Sequence, residues 1–366
     1  MIPIFNPFVP DAVVERVAAT LRDGWLSEGR NVRDFEEAFS SFFDLKHTLA
    51  VNSGTAALHL AVLGAGVAPG DEVIVPAQTF VATATSVMMA GGTPVFADIQ
   101  PGGPNIDPAD IEHRITERTK AIIPVHYGGY PCDMDEINKI ADKHDLCVIE
   151  DAAHALGATY KGNPVGSLGD FSVFSFQAIK QLTTGDGGML VAKDYQDYKT
   201  AYRRRWFGID RANRKPSLLG QPEWDISELG YKYHMNDVAA SMGIAQLEFF
   251  AEAHERRQSL NQIYRREFAM VSGLSLLEEK QDRTSSTWLF TIRVERRLDF
   301  IRALKSRGVE AAVWHQRIDK NSLFGGERND LPNQALFNDS QVSVPLRSDL
   351  TDQEVNSILS SVTAGW

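Results

Sequence analysis

Lys180 stands where an apolar, aromatic run gives way to a small, polar and glycine-rich one: Phe174-Ser175-Phe176-Gln177-Ala178-Ile179-Lys180-Gln181-Leu182-Thr183-Thr184-Gly185-Asp186-Gly187-Gly188-Met189. The stretch 170–176 reads as a buried strand, which puts the lysine at its mouth. Poor solvation there disfavours the ammonium form and lowers the pKa, leaving a free amine at moderate pH. A free lysine amine is the group that forms a Schiff base with an aldehyde. A lone lysine closing a loop is ordinarily a solvated surface residue, so its meaning depends on what accompanies it.

Three other segments supply complementary chemistry. Asn52-Ser53-Gly54-Thr55-Ala56-Ala57-Leu58 follows a strand-like run and opens a helix-like one. Gly54 lets the backbone approach a ligand closely, Thr55 offers a hydroxyl, and the helix start offers free N–H groups to an anion. The same tripeptide also makes an ordinary helix cap. Pro76-Ala77-Gln78-Thr79-Phe80 ends a strand, and Phe80 there is either core or a ring that stacks on a flat heteroaromatic. In Ile149-Glu150-Asp151-Ala152-Ala153-His154, Asp151 terminates the most apolar central strand. A carboxylate at that position either caps the following helix or wants a cationic partner such as a pyridinium nitrogen. His154 is a structural histidine or a hydrogen-bonding group beside such a ring. Ser175 adds a hydroxyl for a phosphate. A phosphate cradle, a stacking ring, a counter-ion for a ring nitrogen and an amine for an aldehyde are the parts of a pyridoxal phosphate (PLP) site.

Positioning these groups requires an alternation of strands and helices. Short apolar runs at 49–51, 72–75, 94–97, 121–125 and 147–149 alternate with helix-like segments at 55–63, 80–89 and 134–143. This pattern predicts an α/β fold with a largely parallel sheet, whose ligands bind beyond the carboxyl ends of the strands. Residues 203–230, rich in Arg, Pro, Gly and Trp, read as a long ordered loop. A long helix over 236–268, a strand over 287–294, a helix over 298–306 and a terminal helix over 350–362 follow. The division expected is a large cofactor-binding domain, 1–250 with an N-terminal arm, and a smaller α+β domain, 251–366.

The 366 residues exceed what one small core organises. A net charge of −11 argues against general nucleic-acid binding. The two cysteines, Cys132 and Cys147, form no metal-ligand spacing, so no metal is expected, and Cys147 in an apolar run reads as a buried, inert thiol. No stretch is long and apolar enough for a membrane span, and the N-terminus has no signal-peptide pattern, which makes the cytoplasm the expected location.

Taken together, Ser53–Leu58, the strand-end Pro76–Thr83, Ala121–His126, Ile149–Gly157, Phe174–Met189 and Gly230–Asp237 resemble, in order, the DegT/DnrJ/EryC1/StrS sugar aminotransferases of the fold-type I PLP enzymes. The resemblance implies that Lys180 carries the cofactor as a Schiff base, Asp151 meets the pyridine nitrogen and Phe80 faces the ring. It implies phosphate contacts from Gly54, Thr55 and Ser175. It also implies a homodimer with shared active sites, in which Gly230–Asp237 reaches the neighbouring subunit and Lys232 meets the phosphate there. Gln177, Asp186 and Lys232 depart from the residues common in the family, and the last leaves that phosphate contact open. Relatives that act as dehydratases carry histidine in place of the lysine; Lys180 favours transamination.

The expected reaction moves an amino group from an amino acid, by resemblance L-glutamate, to a ketone through a pyridoxamine phosphate form. The expected acceptor is a keto group on a nucleotide-linked deoxysugar, for polysaccharide or amino-sugar biosynthesis. Alternatives are a small phosphorylated or cyclic polyol ketone, a sugar dehydratase, and a non-catalytic PLP-binding regulator. Ser27, Arg205, Arg211, His315 and Arg317 are candidate substrate contacts, with Arg214 beside them. Arginines suit diphosphates, but Arg203–Arg205 also ends a helix, where basic side chains complement the dipole.

Overall fold

A computed structural model describes residues 1–213 and 215–366. In its first part, α1 (Asp11–Asp23) and α2 (Arg30–Phe43) precede β1 (Thr48–Val51), α3 (Gly54–Gly64), β2 (Glu72–Pro76), α4 (Ala82–Met89), β3 (Thr93–Ala97), α5 (Pro108–Arg114), β4 (Thr119–Ile122), α6 (Met134–His144) and β5 (Cys147–Asp151). The short β6 (Thr159–Tyr160) and β7 (Asn163–Pro164) lead to β8 (Phe171–Ser175), β9 (Gly188–Ala192) and α7 (Tyr195–Arg204).

Seven of these strands form one sheet in the order β1-β9-β8-β5-β4-β2-β3. Neighbours from β8 to β3 are parallel, and β9 runs against both β8 and β1. The central strands are buried along most of their length, β2 and β9 throughout, because helices cover both faces. Since β1 and β8 both oppose β9, they point the same way. The chain therefore leaves β1, β2, β5 and β8 along one edge, which gathers Ser53–Thr55, Ala77–Phe80, Asp151 and Ser175.

α8 (Asp237–Phe268) has 32 residues and is about 48 Å long at 1.5 Å per residue. Asn236 caps it, its side-chain oxygen accepting from Ala239 N at 2.8 Å. Its first half packs on α1 and α2; its second half turns Leu260, Tyr264 and Phe268 into a separate core. That core is built by β10 (Leu274–Leu276), β12 (Phe290–Val294), α9 (Arg297–Ser306), β13 (Gln341–Val344) and α11 (Asp352–Thr363), while the short β11 (Arg283–Thr284) pairs with β6 and α10 (Pro332–Ser340) leads into β13. There β10, β12 and β13 form an antiparallel sheet. Residue 250, the expected boundary, lies inside α8. The first residues also belong spatially to the C-terminal half: Ile2 bridges Val309, and Arg347 Nη1 donates to the Pro3 carbonyl at 2.6 Å.

Two expected bounds differ for local reasons. The strand expected from 287 begins at Phe290, because Thr287 turns the chain at φ 50°. The described residues of 205–230 include a 3-10 turn at Arg211–Asn213 and the isolated bridges Trp206 with Lys232 and Lys215 with Glu223.

Candidate active site

The gathered strand ends open into a cavity of about 610 Å³. One wall is the start of α3. Ser53 Oγ accepts from Ala56 N at 3.1 Å, which caps the helix and leaves the amides of Gly54 and Thr55 without intrahelical acceptors. A Cβ on Gly54 would lie 3.0 Å from Ser175 Cβ and 3.3 Å from its Oγ. The absence of that atom lets the helix start press against the end of β8, so the Ser175 hydroxyl lies beside the free amides. This cradle of N–H and O–H donors at a positive helix end suits a phosphate.

Asp151 forms the floor. It is 4 % exposed, and its Oδ2 accepts from Thr83 Oγ1 at 2.7 Å, while Oδ1 accepts from Ala153 N at 3.2 Å. Burial raises its pKa, and the bonds from Thr83 and Ala153 and the charge of Lys180 oppose that rise. No ion-pair partner stands against it among the described residues. A buried carboxylate held by hydrogen bonds but lacking a cation is built for a cationic atom of a ligand.

Lys180 enters from the loop after β8. Its Nζ lies 3.8 Å from the centre of the Trp288 ring. Burial pushes its pKa down to about 7, and the charge of Asp151 pulls the other way. Trp288 is tied to the lysine's own loop, its Nε1 donating to the Ile179 carbonyl at 3.0 Å. It also stacks on His154, with ring centres 3.9 Å apart.

His315 stacks on the same imidazole at 5.3 Å. His154 Nδ1 and His315 Nε2 are buried without a partner among the described residues. Burial, then the Lys180 charge, holds both imidazoles neutral; His154 falls well below its usual range and His315 falls to about 3. Phe80, 55 % exposed, lines the mouth with its ring 5.9 Å from His315. A flat aromatic ligand bearing an aldehyde, a ring nitrogen and a phosphate would therefore find a matching group for each. The residues present fit PLP.

Eight of the anticipated residues line this cavity: Gly54, Thr55, Phe80, Asp151, His154, Ser175, Lys180 and His315. Lys232 does not line it. Its side chain is exposed, with Nζ 5.8 Å from the Trp206 ring, and its carbonyl accepts from Asn52 Nδ2 at 3.1 Å. Ser27 is likewise exposed and outside the cavity, its carbonyl accepting from Asp237 N.

The arginines correct the substrate expectation. Arg205 is buried, with Nη1 2.6 Å from Glu36 Oε1 and Nη2 3.0 Å from Glu28 Oε1. Arg211 Nη1 pairs with Glu28 Oε2 at 2.7 Å. Arg317, 2 % exposed, clasps Asp319 with Nε and Nη2 at 2.8 and 2.6 Å. These guanidiniums already serve internal carboxylates, so Arg205, Arg211 and Arg317 are not free phosphate ligands of this chain's cavity. Arg214 lies outside the described residues.

Sequence reasoning missed Trp288, Thr79 and Thr83. Trp288 lies in an unremarkable Ser-Ser-Thr-Trp-Leu run far from the motif residues it covers. Thr79 and Thr83 did carry a signal, since both stand in the strand-end motif Pro76–Thr83, Thr79 in the bend after β2 and Thr83 in the first turn of α4.

The sequence profile described as the DegT/DnrJ/EryC1/StrS aminotransferase family matches residues 10–363. The spore coat polysaccharide biosynthesis protein SpsC of Bacillus subtilis is 37% identical over 373 residues, covering 99% of this chain and 96% of that protein. The crystal structure of the sugar aminotransferase CalS13 from Micromonospora echinospora superposes with a TM-score of 0.95 at 33% identity, covering 100% of both chains. Spr1654 from Streptococcus pneumoniae in its PLP form superposes at 0.92 with 32% identity, covering 99% of this chain and 98% of that one.

Proposed function

We propose, for a chain that belongs to the DegT/DnrJ/EryC1/StrS aminotransferase family, a transfer of an amino group from L-glutamate to a keto group on a nucleotide-linked deoxysugar. The family's enzymes are PLP-dependent sugar aminotransferases of fold-type I, and this chain is one of them. The observation that carries the residue roles is Asp151: a buried carboxylate without a cation, in one cavity with a lysine whose amine is half-free near neutral pH.

When bound, PLP supplies an aldehyde that condenses with amines and a ring that accepts an electron pair from the adjacent carbon. Gly54, Thr55 and Ser175 bind its phosphate, with Lys232 of a second copy completing that contact in a homodimer. Asp151 holds the proton on the ring nitrogen. Phe80 and His154 fix the ring plane. Lys180 Nζ, free once the donor has displaced it, takes the proton from the donor's Cα as general base and returns one as general acid. His315 and His154, both neutral, offer unpartnered ring nitrogens to acceptor hydroxyls.

The relatives' descriptions support a sugar acceptor used in polysaccharide biosynthesis. The free cysteines Cys132 and Cys147 are consistent with a cytoplasmic setting. The committed arginines favour one second reading, a cyclic polyol ketone without a diphosphate, since no arginine among the described residues lines the cavity. The test is turnover of PLP-loaded enzyme with glutamate against a panel of nucleotide keto-sugars and polyol ketones, read by 2-oxoglutarate release. Turnover with a nucleotide-linked ketone supports the proposal; turnover with a polyol ketone alone replaces it.

A further inference from the structure

Behind Asp151 lies a pair of hydroxyls that the reaction outlined above does not use. Thr83 Oγ1 donates to Asp151 Oδ2 at 2.7 Å, and Thr79 Oγ1 lies 2.7 Å from Thr83 Oγ1. Thr79 is 1 % exposed and Thr83 0 %, so water does not compete for either group. A hydroxyl has one proton to give. Thr83 gives its proton to the carboxylate, so the proton between the two threonines must come from Thr79. The arrangement has a direction, Thr79 to Thr83 to Asp151.

We propose that this directed relay holds Asp151 as an aimed carboxylate, with Thr83 as the positioning residue through which Asp151 keeps the cofactor's ring nitrogen protonated. The proposal rests on the assignment of Asp151 to that nitrogen. Three points carry it. A hydroxyl bond to an ionised carboxylate is among the stronger hydrogen bonds, and a second donor behind it strengthens it further. Among the described residues the other oxygen has only the longer contact from Ala153 N, at 3.2 Å. If Asp151 took up a proton on Oδ2, that proton would have to donate to Thr83. Thr83 would then turn its own proton on Thr79, whose hydroxyl has no other partner among the described hydrogen bonds. The reversed chain would leave the buried Thr79 proton unpaired, so the observed arrangement favours an Oδ2 that carries no proton. A threonine in the first turn of a helix commonly bonds nearby backbone; this one instead reaches a residue 68 positions away.

The test uses the full-length protein. Thr83→Val keeps the shape and removes the hydroxyl, Thr83→Ser restores it, and Thr79→Val removes only the second donor. Two quantities are read: the dissociation constant of PLP from the apoprotein, and the pH midpoint of the yellow band of the loaded protein. Hydrogen bonds to charged groups of this kind are worth about a ten- to hundredfold change in an equilibrium. Thr83→Val is expected to weaken PLP binding by about that factor. It also moves the band's midpoint upward, because a ring nitrogen without its proton no longer opposes protonation at Lys180. Thr83→Ser returns both values towards wild type, and Thr79→Val falls between.

An unchanged midpoint in folded Thr83→Val overturns the relay, as does failure of Thr83→Ser to restore it. If Thr83→Val does not fold, judged by the melting of the apoprotein, Thr79→Val decides: a shifted midpoint supports the relay and an unshifted one overturns it. A wild-type protein with no yellow band would instead remove the cofactor assignment beneath it.

Discussion

The half-free amine of Lys180 can be tested before any substrate is known. An ordinary lysine titrates near 10.5, whereas burial brings this one to about 7. At pH 7 about half of Lys180 is then free amine, against roughly one part in 3,000 for an unperturbed lysine, an enrichment on the order of a thousandfold. The assay is acylation of the apoprotein between pH 5.5 and 10, with the Lys180 peptide quantified by mass spectrometry. The midpoint of its rate should lie near pH 7. The charge of Asp151 favours the ammonium, so Asp151→Asn should move the midpoint lower still. The linkage has a definite sign. Lys180 binds its proton less tightly folded than unfolded, so from about pH 7 to 10.5 the unfolded chain holds more protons, and the apoprotein gains stability as pH rises through that window. A midpoint above pH 9 would refute the argument that burial dominates this amine.

Other outcomes follow from the same geometry. Arg317→Ala should cost about 3–5 kcal/mol in urea unfolding, because it leaves the fully buried Asp319 without its guanidinium; the folded enzyme's KM for the acceptor should not change selectively. Arg205→Ala should be destabilising on the same scale, since Glu28 and Glu36 lose their shared partner. Part of that loss should return when Glu36→Gln is added. Gly54→Ala should weaken PLP binding about tenfold or more, because its Cβ would crowd Ser175 at 3.0 Å and spread the phosphate cradle; fluorescence titration of the apoprotein measures this.

How far the sequence spoke depended on the range of the interaction. Gly54, Asp151 and Lys180 were legible because each sits at a strand end, and strand ends converge in a parallel sheet whatever its detailed packing. The helix at 134–144 was legible from its apolar spacing, and the start of α8 from Asn236, whose side chain caps it. Arg205 and Arg317 were misread because a sequence displays a charge but not its partner. Arg205 meets Glu28 and Glu36 nearly 170 positions or more away, where α2 and α7 both pack against β1. Trp288 was invisible for the same reason, since its contact with Lys180 requires the C-terminal half to fold back over the strand ends. The Thr79–Thr83 relay lay between these cases, in a motif the sequence displays but with an acceptor known only from the fold.

The central claim is that the amine of Lys180 holds the cofactor. The direct measurement is borohydride reduction of the PLP-loaded protein, followed by digestion and peptide mass mapping. The account predicts the added cofactor mass on Lys180, reduced stoichiometrically, and its absence after L-glutamate has converted the cofactor to its amine form. Cofactor mass on Lys232 or on any other lysine, with Lys180 unmodified, would contradict it.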